Sequence, residues 1–359
     1  MSDTTAPGGS ATRKIKWLAI GIAVVIALYT GGWFFLASQV DRGVQTAIQQ
    51  AEANGTAITC ADQDVGGYPF RLGVRCDRTV IETPDGARVQ AGAFRSAAQV
   101  YEPRRIISEL DGPATIETPG VTASAEWDIA RASTRLSDRG LEIGTLTLDN
   151  LRFETFPPSA ATITGELDRA VASVRANGPD LDAAIAIDAL DIAPVDGRDP
   201  PPIALDIDAT VSDAASALQG GQPLESLRGR TVTLRNGGLA LSGGGRIETS
   251  GTIAVDADGL ASGEIEIGLS DATATVAALS SLFPEARGLI QTVGGVFGAS
   301  GGGGNVLSNV LSGGSAQADT GATPEASDEA DALRTITLSV RNGQIRAGFI
   351  PLGNVPPLP

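Results

Sequence analysis

The amino-acid sequence predicts a mainly β protein, in which one transmembrane helix precedes a long twisted antiparallel meander with few short helices. Three observations lead to this prediction. Glycine and proline are abundant, at 45 and 20 of 359 residues, whereas only 4% of the residues are aromatic. Extended runs of alternating apolar and polar residues recur between turn signals. One uncharged apolar segment lies near the N-terminus. Because long flat sheets are unusual, we expect a half-barrel or groove-like sheet.

The apolar segment runs from Trp17 to Ala37 without a charge. As a helix it is about 30 Å long, which matches the hydrocarbon core of a bilayer. Arg13, Lys14 and Lys16 precede it, so the positive-inside rule places the N-terminus in the cytoplasm. The alternative is a cleaved signal peptide, which has a shorter apolar region and a small-x-small site. The run ends in FFLASQVD, which favours a retained single-pass anchor.

Five segments follow from this interpretation, which places the body of the protein outside the cytoplasm. They are a cytoplasmic tail (1–16), the transmembrane anchor (17–37), a periplasmic β domain (38–297), a flexible linker rich in Gly, Ser and acidic residues (298–331), and a C-terminal hairpin that returns to the sheet and ends in a Pro-rich tail (332–359).

The charge is distributed unevenly along the chain. Residues 1–36 carry a net charge of +2 and the whole chain carries −16, so residues 37–359 carry −18. Such an acidic body repels phosphate backbones. We therefore expect no nucleic-acid partner; the expected partners are the inner membrane, lipid and other envelope proteins.

The chain has two cysteines, Cys60 and Cys76. In an oxidising compartment such a pair usually forms a disulfide. A metal site is the rival interpretation, but the chain contains no histidine and two thiolates do not fill the coordination shell of zinc. The sequence thus predicts a Cys60–Cys76 disulfide, with no metal site and no cofactor.

Period-two alternation in GGYPFRLGVRCDR, from Gly66 to Arg78, predicts a strand with one buried face after a Gly-Gly-Tyr-Pro turn. The apolar side carries Phe70, Leu72, Val74 and Cys76, and the other side carries Arg71, Gly73, Arg75 and Asp77. Arg71 and Arg75 are candidates for contact with an anionic lipid headgroup. The favoured alternative is a solvated strand face whose arginines pair with carboxylates.

Further hairpins are predicted along the chain, and helix is scarce. The turns are Pro84–Gly86, Pro119–Gly120, Asn236–Gly238, Asp258–Gly259 and Asn342–Gly343. In IALDIDATV, Ile203, Leu205, Ile207 and Val211 share one face, opposite Asp206, Asp208 and Thr210. Two helical segments are expected: a short amphipathic one that ends at Gly55, and one from Asp271 to Phe297 that Pro284 should break.

Three stretches carry a resemblance to a known family: GGYPFRLGVRCDR, AAQVYEPRRIISELDGPATIETPG and the tail VRNGQIRAGFIPLGNVPPLP. They resemble a bacterial envelope family, typical of alphaproteobacteria, that is catalogued as domain of unknown function 2125. The resemblance implies a single N-terminal anchor in the bacterial inner membrane and a periplasmic body, and it brings no established activity and no catalytic residues. More distantly, the anchor, the GYPF strand and the glycine-punctuated repeats are similar to AsmA-like envelope proteins, which implies an open β-groove lined for lipid chains.

Two short stretches match parts of known enzyme or metal-binding motifs, but neither has the other residues that the chemistry needs. Gly298 to Gly302 matches the G-x-S-x-G pattern of serine hydrolases, but no histidine is present to act as the base and the match lies in the linker. Asp256 to Gly259 is a fragment of a calcium-loop pattern without the remaining ligands, which favours a β-turn. The sequence therefore predicts no catalytic residues and a protein that is not an enzyme.

Two functions remain for the periplasmic body. The first is binding or handling of lipid, or of another apolar envelope component, in a β-groove. The second is a structural or adaptor role in the cell envelope with protein partners. An apolar face that stays open favours the first function, whereas a closed core with an exposed edge or surface patch favours the second.

Overall fold

The computed structural model describes residues 9–158, 160–194, 200–220, 226–282, 288 and 334–358. Its helices are Gly9–Ala53 (α1), Ala215–Gly220 (α2) and Ala272–Leu282 (α3). Its first ten strands are Ala57–Ala61 (β1), Asp64–Gly66 (β2), Arg71–Cys76 (β3), Arg78–Glu82 (β4), Arg88–Ala91 (β5), Phe94–Gln99 (β6), Glu102–Leu110 (β7), Ala114–Thr118 (β8), Val121–Glu126 (β9) and Ile129–Ser137 (β10).

The remaining strands are longer on average. They are Gly140–Phe156 (β11), Ile163–Asn177 (β12), Asp180–Ile192 (β13), Ile203–Val211 (β14), Thr231–Leu241 (β15), Arg246–Val255 (β16), Ala261–Ser270 (β17), Arg334–Arg341 (β18), Gln344–Ala347 (β19) and Ile350–Asn354 (β20).

All of these strands belong to one antiparallel sheet. From β11 to β20 each strand pairs with the next strand in the chain. Within the described residues β1 pairs with β4 alone and β20 with β19 alone, so the sheet stays open. The predicted fold class, a mainly β antiparallel meander with few helices, is confirmed.

The first ten strands form five consecutive pairs, and each pair is one long extended segment that is interrupted near its middle. For example, β3 pairs with β6 and β4 pairs with β5, with only Asp77 between β3 and β4. Two columns of short strands result, one with the order β2-β3-β6-β7-β10 and the other with the order β1-β4-β5-β8-β9. The long strand β11 joins them, because it pairs with β10 along its first part and with β9 along its second.

The line of interruptions continues into β11, β12 and β13, where the pairing skips Asn150, Asp168 and Ala189, and β13 has a bulge relative to β14 there. In β11 Asn150 has a φ of 52°, and in β13 Ala189 has a φ of 49°, both in the left-handed region. Each irregularity shifts the alternation by one residue: the apolar Leu146 and Leu148 are followed by Leu151 instead of by residue 150. A bulge bends a strand and increases its twist. The shift keeps the apolar residues on one side of a bent sheet.

Helix α1 covers one edge of the sheet. The side of α1 that packs against β1 and β2 carries a buried or half-buried residue every three or four positions. These residues are Thr30, Trp33, Ala37, Val40, Val44, Ile48 and Ala51. Gln63, at the bend between β1 and β2, accepts a hydrogen bond from Gln45 (3.0 Å) and donates one to Asp41 (2.8 Å). The opposite edge, β20, contains Pro351, as is usual for an edge strand. Both edges are thus protected against pairing with other strands.

The structure differs from the sequence prediction in two local features. The predicted juxtamembrane helix is not separate, because α1 continues without a break from the apolar segment to Ala53. The predicted turn at Asn236–Gly238 is wrong: β15 runs through it, and Arg235 and Asn236 form a bulge there. The bulge is stabilised because the side chain of Asn236 donates to Asp206 and that of Arg235 donates to Asp208.

Other predictions concern segments that are described only in part. Helix α3 begins at Ala272, close to the predicted start, while Pro284 and the G-x-S-x-G match lie outside the described residues. The predicted linker, 298–331, also lies outside them. The C-terminal strand β18 pairs with β17, and β18 and β19 form a hairpin at Asn342–Gly343.

Candidate functional site

One face of the sheet is apolar across most of its width. Residues directly opposite each other in antiparallel strands project from the same face. One row, from β11 to β18, reads Leu146, Ala172, Ile185, Ile207, Gly237, Thr249, Ile267 and Ile336. The adjacent row, from β11 to β17, reads Leu148, Ala170, Ile187, Leu205, Leu239, Ile247 and Leu269. We call this side of the sheet the apolar face.

The opposite side, the polar face, carries charged and hydroxyl side chains. Its row from β12 to β19 reads Arg175, Asp182, Thr210, Thr233, Thr252, Glu264, Ser339 and Arg346. Sheets of this kind normally bury their apolar face against a second layer and leave the polar face in water. The location of that second layer therefore decides what the apolar face can bind.

Within the described residues no second sheet covers the apolar face. Leu146 is 51% exposed and Ile185 is 43% exposed, although the strands of both residues are paired on both sides. The short helix α2 packs against β11, β12 and β13, and α3 packs against β17. Eight strands, β11 to β18, give this face a width of about 34 Å at the usual strand spacing. The exposed Leu146 and Ile185 therefore belong to a contiguous apolar face and are not isolated apolar residues.

The disulfide joins the two columns on the apolar side. Cys60 lies in β1 and Cys76 in β3, with their Cα atoms 5.1 Å apart. Asp77 donates a backbone hydrogen bond of 2.8 Å to Ala61 beside it. Cys76 is buried, as the alternation in β3 predicts. The bond therefore fixes the angle between the columns at the edge that α1 covers.

Arg71 and Arg75 project from the polar face, away from Leu72 and Val74. In the register, Arg71 lies opposite Gln99 and Arg75 lies opposite Arg95. Neither arginine makes an ion pair with a described residue, whereas Arg95 is bonded to Asp111 at 2.8 and 2.5 Å. The hydrogen bonds from Arg95 lower the pKa of Asp111. Contact of Arg71 and Arg75 with an anionic headgroup stays a prediction.

A buried ionic network on the polar face centres on Asp182, whose side chain is 8% exposed. Arg175 donates to it at 2.6 Å, Thr210 at 2.8 Å and Arg235 at 3.1 Å. Burial opposes ionisation of the carboxyl, but the hydrogen bonds from Arg175, Thr210 and Arg235 outweigh burial and lower its pKa to about 2. Asp182 is thus a permanent carboxylate with saturated partners, which suits a structural role and not proton transfer.

A cavity of about 850 Å³ lies on the polar side of the second column. Its charged lining consists of Glu126, Arg152, Glu154, Glu166 and Asp191. No cluster in the described part of the chain has the arrangement of a metal site. The Asp256 to Gly259 segment is a turn, because Asp256 accepts hydrogen bonds from the backbone of Asp258 and Leu260, both at 2.9 Å. The absence of an enzymatic activity stays a prediction.

Helix α1 is long and apolar enough to cross a membrane over part of the range Arg13–Ala53, and it is the one such helix among the described residues. Its apolar side chains from Trp17 to Leu28 are exposed. Near the end of the apolar segment the Gly66–Phe70 turn docks on it. Tyr29 donates to the carbonyl of Pro69 (2.5 Å), and Thr30 and the Tyr68 hydroxyl are 2.9 Å apart. Sequence patterns did not reveal this contact.

A family model described as "Uncharacterized protein conserved in bacteria (DUF2125)" matches residues 33–356. No curated protein and no solved structure matches the chain significantly. The match begins at Trp33, which contacts the Gly66–Phe70 turn, and includes all twenty strands. The likeness to AsmA-like proteins stays a prediction.

Proposed function

The chain belongs to the bacterial family DUF2125, and we propose that it is a membrane-anchored protein of the cell envelope that binds lipid acyl chains on the apolar face of its sheet. In this proposal α1 holds the protein in the inner membrane and the sheet lies in the periplasm. The observation that carries it is the continuous aliphatic surface from β11 to β18, with Leu146 and Ile185 about half exposed.

The chemistry of that surface favours acyl chains over a polar ligand. Its two rows consist of Leu, Ile and Ala, with Gly237 and Thr249 as the two exceptions. Removing such a surface from water is favourable by roughly 25 cal/mol per Å², and an acyl chain offers the same chemistry without hydrogen-bonding requirements. The charged groups that would have to be satisfied lie on the other face, where Arg175 and Arg235 already pair with Asp182.

The position of the anchor supplies a source for the ligand. Helix α1 runs along the β1–β2 edge and extends beyond the sheet at the Gly66–Phe70 turn. If α1 crosses the membrane, this end of the sheet is next to the bilayer. Lipid would then reach the apolar face without crossing a long aqueous distance.

Photo-crosslinking tests the proposal in the full-length protein in cells. A photoreactive phenylalanine analogue replaces Leu146 or Ile185 on the apolar face. The matched controls are Thr145 and Ala184, which are adjacent in the chain and project from the other face. We expect phospholipid adducts in the mass spectra of the Leu146 and Ile185 variants and several-fold fewer in the controls. Equal adduct levels on both faces, or none at all, would contradict the proposal.

The adaptor role predicted from the sequence has one observation in its favour. Within the described residues β20 leaves one edge of the sheet without a neighbouring strand. A partner strand added there would need a straight edge, but Pro351 removes one backbone donor and Gly353 has a φ of 157°. Crosslinks from position 185 to one specific protein instead of lipid would favour the adaptor role over lipid binding.

A further inference from the structure

One end of the sheet is rich in exposed aromatic residues in a protein that has few. All three tyrosines of the chain, Tyr29, Tyr68 and Tyr101, lie there. Phe70 is 67% exposed and Tyr101 is 75% exposed. The two are adjacent in space, because the backbone of Val100 donates to the carbonyl of Phe70 at 3.0 Å. Large aromatic side chains this exposed indicate a surface that contacts something other than water.

Direct contacts fix the position along α1 at which this end of the sheet docks. Trp33 is buried against the Gly66–Phe70 turn, and its indole donates to the carbonyl of Arg71 at 2.9 Å. Arg13 lies 20 residues before Trp33 in the same helix, which corresponds to about 30 Å, the thickness of a hydrocarbon core. If Arg13 lies at one membrane boundary, Trp33 and the turn lie at the other, where tyrosine and tryptophan are enriched.

At the same end of the sheet, three arginines project from the polar face. Arg71 begins β3, and Arg105 in β7 lies directly opposite Arg135 in β10. Like charges directly opposite each other are unfavourable, and no ion pair with a described residue relieves Arg71, Arg105 or Arg135. In a chain of net charge −16, an unneutralised group of this kind is unusual. Anionic phosphate groups of lipids would neutralise it, and long arginine side chains reach such groups readily.

We propose that this end of the sheet is a second membrane-contacting surface, in which Tyr68, Phe70 and Tyr101 insert among the lipid headgroups while Arg71, Arg105 and Arg135 bind anionic phosphates. The surface would hold the sheet in one orientation at the bilayer instead of leaving it mobile on a single helix. The inference rests on the membrane span of α1 from the proposed function, and it does not require that the apolar face binds lipid.

Spin-label accessibility tests the inference on the full chain in nanodiscs that contain anionic phospholipid. Nitroxide labels are placed through Phe70→Cys, Tyr101→Cys and, as the control, Gly120→Cys. Gly120 lies in the turn between β8 and β9, with open space where a side chain would project. The native cysteines are paired and do not react. We expect the ratio of oxygen to nickel-chelate collisions to be several-fold higher at positions 70 and 101 than at position 120.

A fourth label, at Val24→Cys, distinguishes failure of this inference from failure of the proposed membrane span of α1. If position 24 is embedded in lipid while positions 70 and 101 are as accessible to the nickel chelate as position 120, this inference is wrong and the anchor stands. If position 24 is itself accessible to the chelate, α1 does not span and both proposals are wrong.

The arginines are tested with the Phe70 label in the Arg105→Gln/Arg135→Gln double variant. The control is Arg152→Gln, because Arg152 is also exposed but lies in the second part of β11, next to β9. We expect a several-fold lower oxygen-to-nickel ratio in the double variant, matching that of the parent protein in zwitterionic nanodiscs, and no change for Arg152→Gln. A ratio independent of both lipid charge and the double substitution would overturn the role of the arginines.

Discussion

Trp33 donates a hydrogen bond of 2.9 Å from its indole nitrogen to the backbone carbonyl of Arg71, which links α1 to the first residue of β3. The ring of Tyr68 packs edge-on against the indole, with centroids 5.5 Å apart. Residues 38 positions apart are thereby held together at the end of the apolar segment. The level of the sheet relative to the helix is therefore determined by side-chain contacts and not by the length of a linker.

Replacing Trp33 with Phe removes the indole donor but retains an aromatic ring. We expect a loss of about 1 kcal/mol in the free energy of unfolding, which is typical for one hydrogen bond, because the Arg71 carbonyl loses its partner. Hydrogen exchange in the Gly66–Phe70 turn should accelerate, since the turn is then less firmly held. Trp17→Phe is the matched control, because Trp17 is exposed on the same helix. Equal exchange rates in the two variants would refute the docking role of Trp33.

The sequence revealed each side of this contact but not the contact itself. The Gly-Gly-Tyr-Pro turn, the strand that follows and the apolar segment all leave local patterns of composition and period. Contact between Trp33 and the turn depends on the rotation of α1 about its axis and on the bend between β1 and β2. Those features arise from tertiary packing, which a pattern in one sequence does not record.

The disulfide is expected to stabilise the folded protein because it reduces the conformational entropy of the unfolded chain. The Cys60→Ala/Cys76→Ala double variant should lose about 3 kcal/mol, since the closed loop has about 15 residues. Chemical denaturation monitored by circular dichroism measures the loss. Reducing the parent protein provides a control that leaves both side chains in place, and it should give a similar loss. A double variant as stable as the oxidised parent would contradict this expectation.

The buried Asp182 network should make stability depend on acidic pH. The pKa of Asp182 in the folded protein, about 2, lies below its ordinary value of 3.8. A lowered pKa stabilises the folded state fully above about pH 4, and this contribution, of about 2 kcal/mol, disappears as the pH falls toward 2. Asp182→Asn removes the ionisable group. The difference in unfolding free energy between parent and variant should therefore be largest at neutral pH and shrink between pH 4 and 2.

Urea unfolding at several pH values measures that difference, and Asp138→Asn is the control. Asp138 also pairs with an arginine, Arg104, at 2.5 Å, but its side chain is 86% exposed. Exposed ion pairs contribute about 0–1 kcal/mol, so the control should show a small effect at every pH. If the Asp182→Asn difference stays constant from pH 7 to 2.5, the carboxylate of Asp182 is not what the network stabilises.

The sheet, its sidedness and most of its hairpins follow from period-two patterns, whereas the aligned interruptions in β11, β12 and β13 do not. The apolar residues of β11 show the shift, at Leu148 and Leu151, and those of β13 show it at Ile187 and Leu190. Read in isolation, such a shift resembles the end of one strand and the start of another. Only the cross-strand register shows that the shifts are aligned, so that the sheet bends along one line. For the same reason the sequence predicted a turn at Asn236–Gly238, where β15 has a bulge made of residues that are typical of turns.

Ala189 provides the most direct test of the bulge in β13. Its φ of 49° lies in the left-handed region, which costs a residue with a side chain roughly 1 kcal/mol or more relative to glycine. Ala189→Gly should therefore raise the unfolding free energy by about 0.5–1 kcal/mol. Ala186→Gly, at an exposed regular position of the same strand, should lower it by a similar amount, because glycine loses more conformational freedom there. Urea denaturation of both variants provides the measurement, and a loss of stability in both would show that β13 does not bend at Ala189.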